Sequence, residues 1–193
     1  GRGQDILRIL KRDAPHLNVH FDGMGTRLTK DWLLFPEYNN NFKELMKTWK
    51  WVKRVYGKSD RKKALNADVI VTTSGMLDGG PALWYLNRLN SNKSNAILLT
   101  GYQAEGSGGR LLLDEGQLSI YGKMTKINLE INQYALSNHA DGPSLVKFAK
   151  DCSPKEIILF HAPDEGISSL QNELDGEFKV FLPQNNKPLF LNL

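Results

Sequence analysis

Two histidines carry the best case for chemistry. His139 and His161 lie 22 positions apart, and each follows a short apolar run and opens a polar loop. The loops read Ser137-Asn138-His139-Ala140-Asp141 and His161-Ala162-Pro163-Asp164-Glu165. One helix (Leu145 to Asp151) and one strand (Glu156 to Phe160) are expected between them. A right-handed βαβ crossover would make their parent strands parallel neighbours, with both imidazoles at one sheet edge. There an imidazole can bind a metal or act as general acid or base near neutral pH. The competing reading is two partly buried, hydrogen-bonded histidines. His16 and His20 flank a lone strand without polar partners, which favours a structural role.

The positioning elements alternate. An amphipathic helix is expected around Ile6 to Leu10, a strand at Leu17 to Phe21, and a helix from Thr26 to Phe35 stopped by Pro36. A helix at Phe42 to Trp49, a β-branched strand at Asp68 to Thr73 and a helix at Ala82 to Leu89 after Pro81 follow. Ala96 to Thr100 is a strand. Leu118 to Ile120 and Thr125 to Ile131 alternate like antiparallel or edge strands, and Tyr134 to Ser137 is a short strand. The chain closes on a helix at Ile167 to Leu174 and strands at Phe178 to Phe181 and Leu189 to Leu191. The order predicts an α/β fold with a largely parallel sheet and a seam near residues 132–137.

In such sheets ligands collect beyond the carboxyl ends of the strands. Two further loops qualify. One is Thr73-Ser74-Gly75-Met76. The other runs from Thr100 through Gly101, Tyr102, Gln103, Ala104, Glu105 and Gly106 to Arg110. Glycines here free backbone N–H groups for a phosphate. No Gly-Lys-Ser/Thr follows, so this is no P-loop, and a plain turn before a helix remains an alternative.

Net charge is +4 and mean hydropathy is −0.41. The basic residues concentrate at Lys43, Lys47, Lys50, Lys53, Arg54, Lys58, Arg61, Lys62 and Lys63, with Trp49, Trp51 and Tyr56 interleaved. This is either a solvated face over core aromatics or a phosphate-tracking surface with bases stacked on the rings. The single cysteine, Cys152, excludes a disulfide framework and a cysteine-based zinc site, suits a reducing cytoplasmic setting, and is expected to serve packing. No apolar run approaches a membrane span, and Gly1 is not a start methionine, so a fragment or processed product is expected.

The ordered loops resemble those of the β-CASP ribonucleases of the metallo-β-lactamase superfamily. Gly1-Arg2-Gly3-Gln4-Asp5 resembles the segment opening the β-CASP insertion, and Asp22-Gly23-Met24 and Phe35-Pro36-Glu37-Tyr38 resemble archaeal variants of it. Ser74-Gly75-Met76-Leu77 with Gly79-Gly80-Pro81, and Gly101-Tyr102-Gln103-Ala104-Glu105-Gly106, are closely similar to family loops. Ser137 to Asp141 resembles motif B, and the strand ending in His161 resembles motif C.

The resemblance implies a β-CASP domain over 1–132 and a C-terminal segment of the metallo-β-lactamase αββα fold over 133–193. It implies a zinc-dependent phosphodiesterase acting on RNA, with His161 a zinc ligand, His139 the acid for the leaving oxygen and Asp141 its orienting partner. Ser74, Gly75, Gly101, Tyr102, Glu105, Gly106 and Ser137 would hold RNA, aided by Lys50, Lys53 and Arg54. The His-x-His-x-Asp-His motif and the other metal-binding motifs that precede this segment in the family do not occur. The expected pair of zinc ions therefore needs the metallo-β-lactamase portion from the parent protein or a partner chain, and the isolated chain is expected to be inactive. A homodimer fits the resemblance. Competing classes are a non-catalytic RNA-binding or assembly module and an unrelated α/β nucleotide-binding domain.

Overall fold

The computed structural model describes residues 1–134, 136 and 140–190. Eight α-helices, one 3₁₀ turn and nine strands are described. None of the described helices is long and apolar enough to cross a membrane. The chain divides into two compact units, Gly1–Asn138 and His139–Leu193.

The first unit opens with α1 (Arg2–Asp13). Its inward face places Leu7 at 2% exposure against Val19, Phe21, Val52 and Val71. The residue before Pro15 is disfavoured in helical conformation, so α1 stops at Asp13. Strand β1 (Val19–Asp22) is buried along its whole length and lies between β2 (Lys53–Arg54) and β3 (Val69–Thr72), all parallel. The β1–β3 register pairs Val19 with Val69 and Asp22 with Thr72. Helix α2 (Met24–Trp32) leaves β1, α3 (Phe42–Trp51) leads into β2, and α4 (Lys58–Ala64) precedes β3. Pro36 does more than stop a helix: it begins a 3₁₀ turn, Pro36–Tyr38.

A second parallel pair joins β4 (Ala96–Leu99) to β7 (Glu130–Gln133). Before β4 runs α5 (Gly80–Leu89), with Pro81 in its first turn. After β4 comes α6 (Gly108–Glu115), capped by Ser107 and terminated by Gly116 in the left-handed region. A hairpin of β5 (Gln117–Ile120) and β6 (Lys123–Lys126) follows. Leu77, Leu83, Leu99, Leu112, Leu118 and Ile127 form the core here.

The alternating run expected as one strand at Thr125 to Ile131 is therefore two elements. Lys123–Lys126 pairs antiparallel with β5, and Glu130–Gln133 pairs parallel with β4. The strand expected at Tyr134 to Ser137 is not formed at Tyr134 or Leu136; the rest of that span lies outside the described residues.

The second unit holds α7 (Gly142–Cys152), β8 (Glu156–Ile158), α8 (Asp164–Leu174) and β9 (Lys179–Phe181). Strands β8 and β9 are parallel around the α8 crossover. Among the described residues, β8 has β9 as its neighbour, where a strand preceding His139 was expected. Leu189 and Phe190 form no strand, and Leu191 lies outside the described residues. Cys152 is exposed at the end of α7, so it does not serve the packing expected of it.

Candidate nucleic-acid interface

Two of the four loops singled out by the sequence, Thr73 to Met76 and Thr100 to Arg110, meet in the first unit. Chain segments leaving β1 and β3 meet where the Met24 amide donates to the Thr73 hydroxyl at 3.1 Å. Gly23 sits between them at φ +94°, and a side chain there would run into the Thr73 Oγ1. The turn at Ser74–Leu77 closes with the Leu77 amide donating to the Ser74 carbonyl at 3.3 Å. It then reaches across to α6. The Gly109 amide donates to the Met76 carbonyl and the Gly108 amide to the Asp78 carboxylate, both at 2.7 Å.

These bonds divide the glycine-rich loop into two parts. At the start of α6 the N–H groups are already used: Gly108 and Gly109 as above, and Arg110 by the Ser107 hydroxyl at 3.2 Å. Asp78 also puts a negative charge beside that helix terminus, which disfavours an anion there. The earlier part is different. The Ala104 amide faces the Met76 sulfur at 3.4 Å. Among the described residues, the amides of Tyr102, Gln103, Glu105 and Gly106 have no acceptor. Tyr102, Glu105 and Gly106 are exposed, and Gln103 is buried.

Gly101 anchors the loop. Its carbonyl accepts from the Gln103 side chain at 3.2 Å and the Gln133 side chain at 3.0 Å. The Arg2 guanidinium lies so close that a methyl group at Gly101 would collide with it. The same side chain donates through Nε to the Leu136 carbonyl at 2.7 Å. Arg2 thus links the Gly101 loop to the segment that runs toward residue 137. Sequence reasoning assigned Arg2 no role, although Gly1-Arg2-Gly3-Gln4-Asp5 was among its motifs.

Ser137 and His139 lie outside the described residues. Asp141 is exposed and caps α7, its carboxylate accepting from the Ser144 amide at 2.9 Å. Hydrogen bonding from Ser144, its side chain first and its amide second, holds the Asp141 carboxyl below its ordinary range. His161 is exposed in the left-handed region at φ +65°, in the loop after β8. It has no metal-ligand company: among the described residues no three histidine, cysteine or acidic side chains gather at one point. The described residues therefore do not by themselves fit a zinc pair, for which His161 would be a single donor.

The basic stretch is not one surface. Arg61 leaves it to pair with Asp22, which is 2% exposed. The Arg61 Nε donates to one Asp22 oxygen at 2.6 Å and the Tyr85 hydroxyl to the same oxygen at 2.9 Å. The bond to Asp22 raises the Arg61 pKa, while burial, then the bond to Asp22, pushes the Tyr85 phenol up. Arg54 is half-buried, donates to the Trp49 carbonyl at 2.7 Å and lies 5.1 Å from the Trp49 ring centre. Trp49 and Trp51 pack against the core around β1, and the Trp51 Nε1 donates to the Pro15 carbonyl. Of the three interleaved rings, Tyr56 alone is largely exposed, at 68%. Lys43, Lys47, Lys50, Lys53, Lys58 and Lys62 are exposed.

Buried His20 sits on β1 opposite Lys53 with its Nδ1 unpartnered. Burial, then the Lys53 charge, lowers its pKa. His20 thus occupies the structural position expected of it. His16 is exposed.

Comparison with known proteins gives this geometry its context. The Beta-Casp domain family matches residues 5–112, and the Zn-dependent metallo-hydrolase RNA specificity domain matches residues 124–183. Probable RNase MJ4 of Methanocaldococcus jannaschii is 38% identical across 95% of this chain and 44% of its own length. RNase aCSPSF2 of Saccharolobus solfataricus is 34% identical across 98% of this chain and 39% of its own. Transcription termination factor FttA of Methanocaldococcus jannaschii is 30% identical across 96% of this chain and 33% of its own. The chain thus spans less than half the length of these relatives. With more than half of its residues matched by one family, the chain belongs to the β-CASP family of zinc-dependent metallo-hydrolases.

Proposed function

We propose that this chain is the RNA-holding and partly catalytic region of a zinc-dependent ribonuclease that hydrolyses phosphodiester bonds in RNA processing or degradation. The observation that carries the reading is that the exposed amides of Tyr102, Glu105 and Gly106 have no acceptor among the described residues, in a loop anchored at Gly101 beside the Arg2 guanidinium. Backbone N–H groups and a fixed cation together suit a phosphate backbone. Ser74 and Gly75 extend the same surface, and Lys50 and Lys53 offer outlying charge. Arg54 serves mainly through its charge, since its fork is already turned toward Trp49.

In this reading residues 1–132 are the β-CASP domain and 133–193 return to the metallo-β-lactamase domain. His139, with Ser137 nearby, lies against the scissile phosphate as the acid, oriented by Asp141. His161 offers one zinc ligand, and donors outside this chain complete the pair. The relatives' greater length supports that division. A cytoplasmic setting belongs to the same proposal.

Binding of single-stranded RNA to the 193-residue chain tests it. For about five phosphate contacts, log affinity should fall against log salt with a slope near −3.5, roughly −0.7 per contact. Neutralising Lys50, Lys53 and Arg54 together should flatten that slope by about 2. An unchanged slope removes those three residues from the interface, and no RNA binding at all overturns the reading.

A further inference from the structure

Arg2 stands apart from the other fixed arginines. Arg8, Arg12, Arg61 and Arg110 each face a carboxylate. Arg54 and Arg88 lie over tryptophan rings. Arg2 is held without either. Its Nε donates to the Leu136 carbonyl at 2.7 Å, and no carboxylate among the described residues pairs with it. A neutral carbonyl fixes the group but leaves its charge uncompensated. The position is also unfavourable for a cation: Arg2 is the first residue of α1, at the positive end of the helix dipole.

Gly101 reveals how the guanidinium is turned. A Cβ there would meet the Arg2 Cζ at 2.7 Å and Nη2 at 3.1 Å, with Nη1 nearer still. An in-plane approach to the Nη1–Nη2 edge would put both nitrogens nearer than Cζ. Here Cζ is nearer than Nη2, so the glycine underlies the flat face of the group. That support is pinned, because the Gly101 carbonyl accepts from both the Gln103 and the Gln133 side chains.

The guanidinium is thereby divided. Its face rests on Gly101, and its Nε–H is used by Leu136. Its Nη1–Nη2 edge has no acceptor among the described residues, and the side chain is half-buried rather than enclosed. That edge carries two parallel N–H bonds, spaced for two oxygens of one carboxylate or phosphate. The open amides of Tyr102, Glu105 and Gly106 belong to the loop that Gly101 begins, and several N–H donors beside one cation favour the phosphate.

We infer that Arg2 is a phosphate ligand, anchored through Nε to the Leu136 carbonyl and gripping two non-bridging oxygens of one RNA phosphodiester through Nη1 and Nη2. The inference rests on the RNA-holding reading above and deepens it, by naming the side chain that recognises the phosphate and the bidentate way it does so. The anchor also ties this grip to the chain three positions before His139.

Fluorescence anisotropy with oligouridylate and the full 193-residue chain tests it. Arg2→Lys keeps the charge but loses the fork, so affinity should fall by roughly tenfold, as for one lost charge-assisted hydrogen bond, while the salt slope stays as in wild type. Arg2→Ala should weaken binding further and flatten the slope by about 0.7, one phosphate contact. Tryptophan fluorescence checks that both variants fold. Nuclear magnetic resonance of the wild-type arginine side chains needs no variant: oligouridylate should shift the Arg2 Nη–H signals more than its Nε–H signal. If wild type binds with the expected slope but Arg2→Lys binds equally tightly, or the Nη–H signals do not respond to RNA, Arg2 is not a bidentate phosphate ligand, and the RNA-holding reading survives without it. If wild type binds no RNA, both fall together.

Discussion

The two units differ in what holds their functional residues. In Gly1–Asn138, Phe21, Leu7, Leu112 and Leu118 are buried to within 2% of full, and the loops rest on that core through named bonds. In His139–Leu193, the buried apolar residues among those described are Val146 and Leu174. Phe148, Phe160 and Phe190 stand 67%, 72% and 85% exposed there, and His161 is exposed in the same unit. The first unit positions its site from within. The second leaves more of its apolar surface open among the described residues, which fits the proposal that it completes another fold.

That contrast can be broken at its strongest point first. Leu112→Ala should destabilise the first unit by about 4 kcal/mol, the upper part of the range for a fully buried leucine. Phe148→Ala should change stability by less than about 0.5 kcal/mol, as an exposed substitution does. All four tryptophans (Trp32, Trp49, Trp51 and Trp84) lie in the first unit, so urea unfolding followed by tryptophan fluorescence reads that unit alone. Circular dichroism reads both. A large loss from Phe148→Ala would mean that the second unit has a core of its own.

Next comes the buried ion pair. Asp22→Ala strands the Arg61 guanidinium and the Tyr85 hydroxyl, at about 3 kcal/mol, the lower end for a broken buried pair because Arg61 is partly exposed. Tyr85→Phe leaves the pair intact and should cost about 1 kcal/mol. Equal costs would show that the phenol, not the guanidinium, secures Asp22. Gly101→Ala should displace Arg2, cost about 1 kcal/mol in stability and weaken RNA binding. Unchanged RNA affinity would take Arg2 out of the site.

The smallest effect is one of pH. His20 has its pKa lowered by burial, so the folded state refuses a proton that the unfolded chain accepts near its ordinary value of 6.5. Stability therefore holds above that value and declines as pH falls below it. His20→Phe should remove this decline. If wild type and variant share the same profile, His20 is not its source.

Much of the fold was legible because the local signals were unopposed. The β-branched run Val69 to Thr72 became β3, and Pro81 opened α5 as its fixed φ favours. Elsewhere the decisive partner was remote. Lys53–Arg54 is a two-residue strand of two charges, recognisable only through its pairing with β1. The run Thr125 to Ile131 reads as one alternating segment, and only the different neighbours of β6 and β7 divide it. Helix α6 begins on two glycines, which weaken any helical signal, and depends on Ser107 and Asp78 for its start.

The site shows the same division. The loops were legible as polar segments after strands. Which amides stay open was not, because Asp78 and Met76 reach α6 from 30 or more positions away. Arg61 looked like one cation in a run, and only its contact with Asp22, 39 positions distant, reveals it as structural.

One measurement bears most directly on the central claim. A labelled single-stranded RNA is incubated with the purified 193-residue chain, with and without added zinc, and both binding and cleavage are followed. The account predicts salt-sensitive binding and no zinc-dependent cleavage, because in the proposed reading His161 is this chain's one zinc donor and the others lie outside it. Robust zinc-dependent cleavage by the chain alone would contradict it.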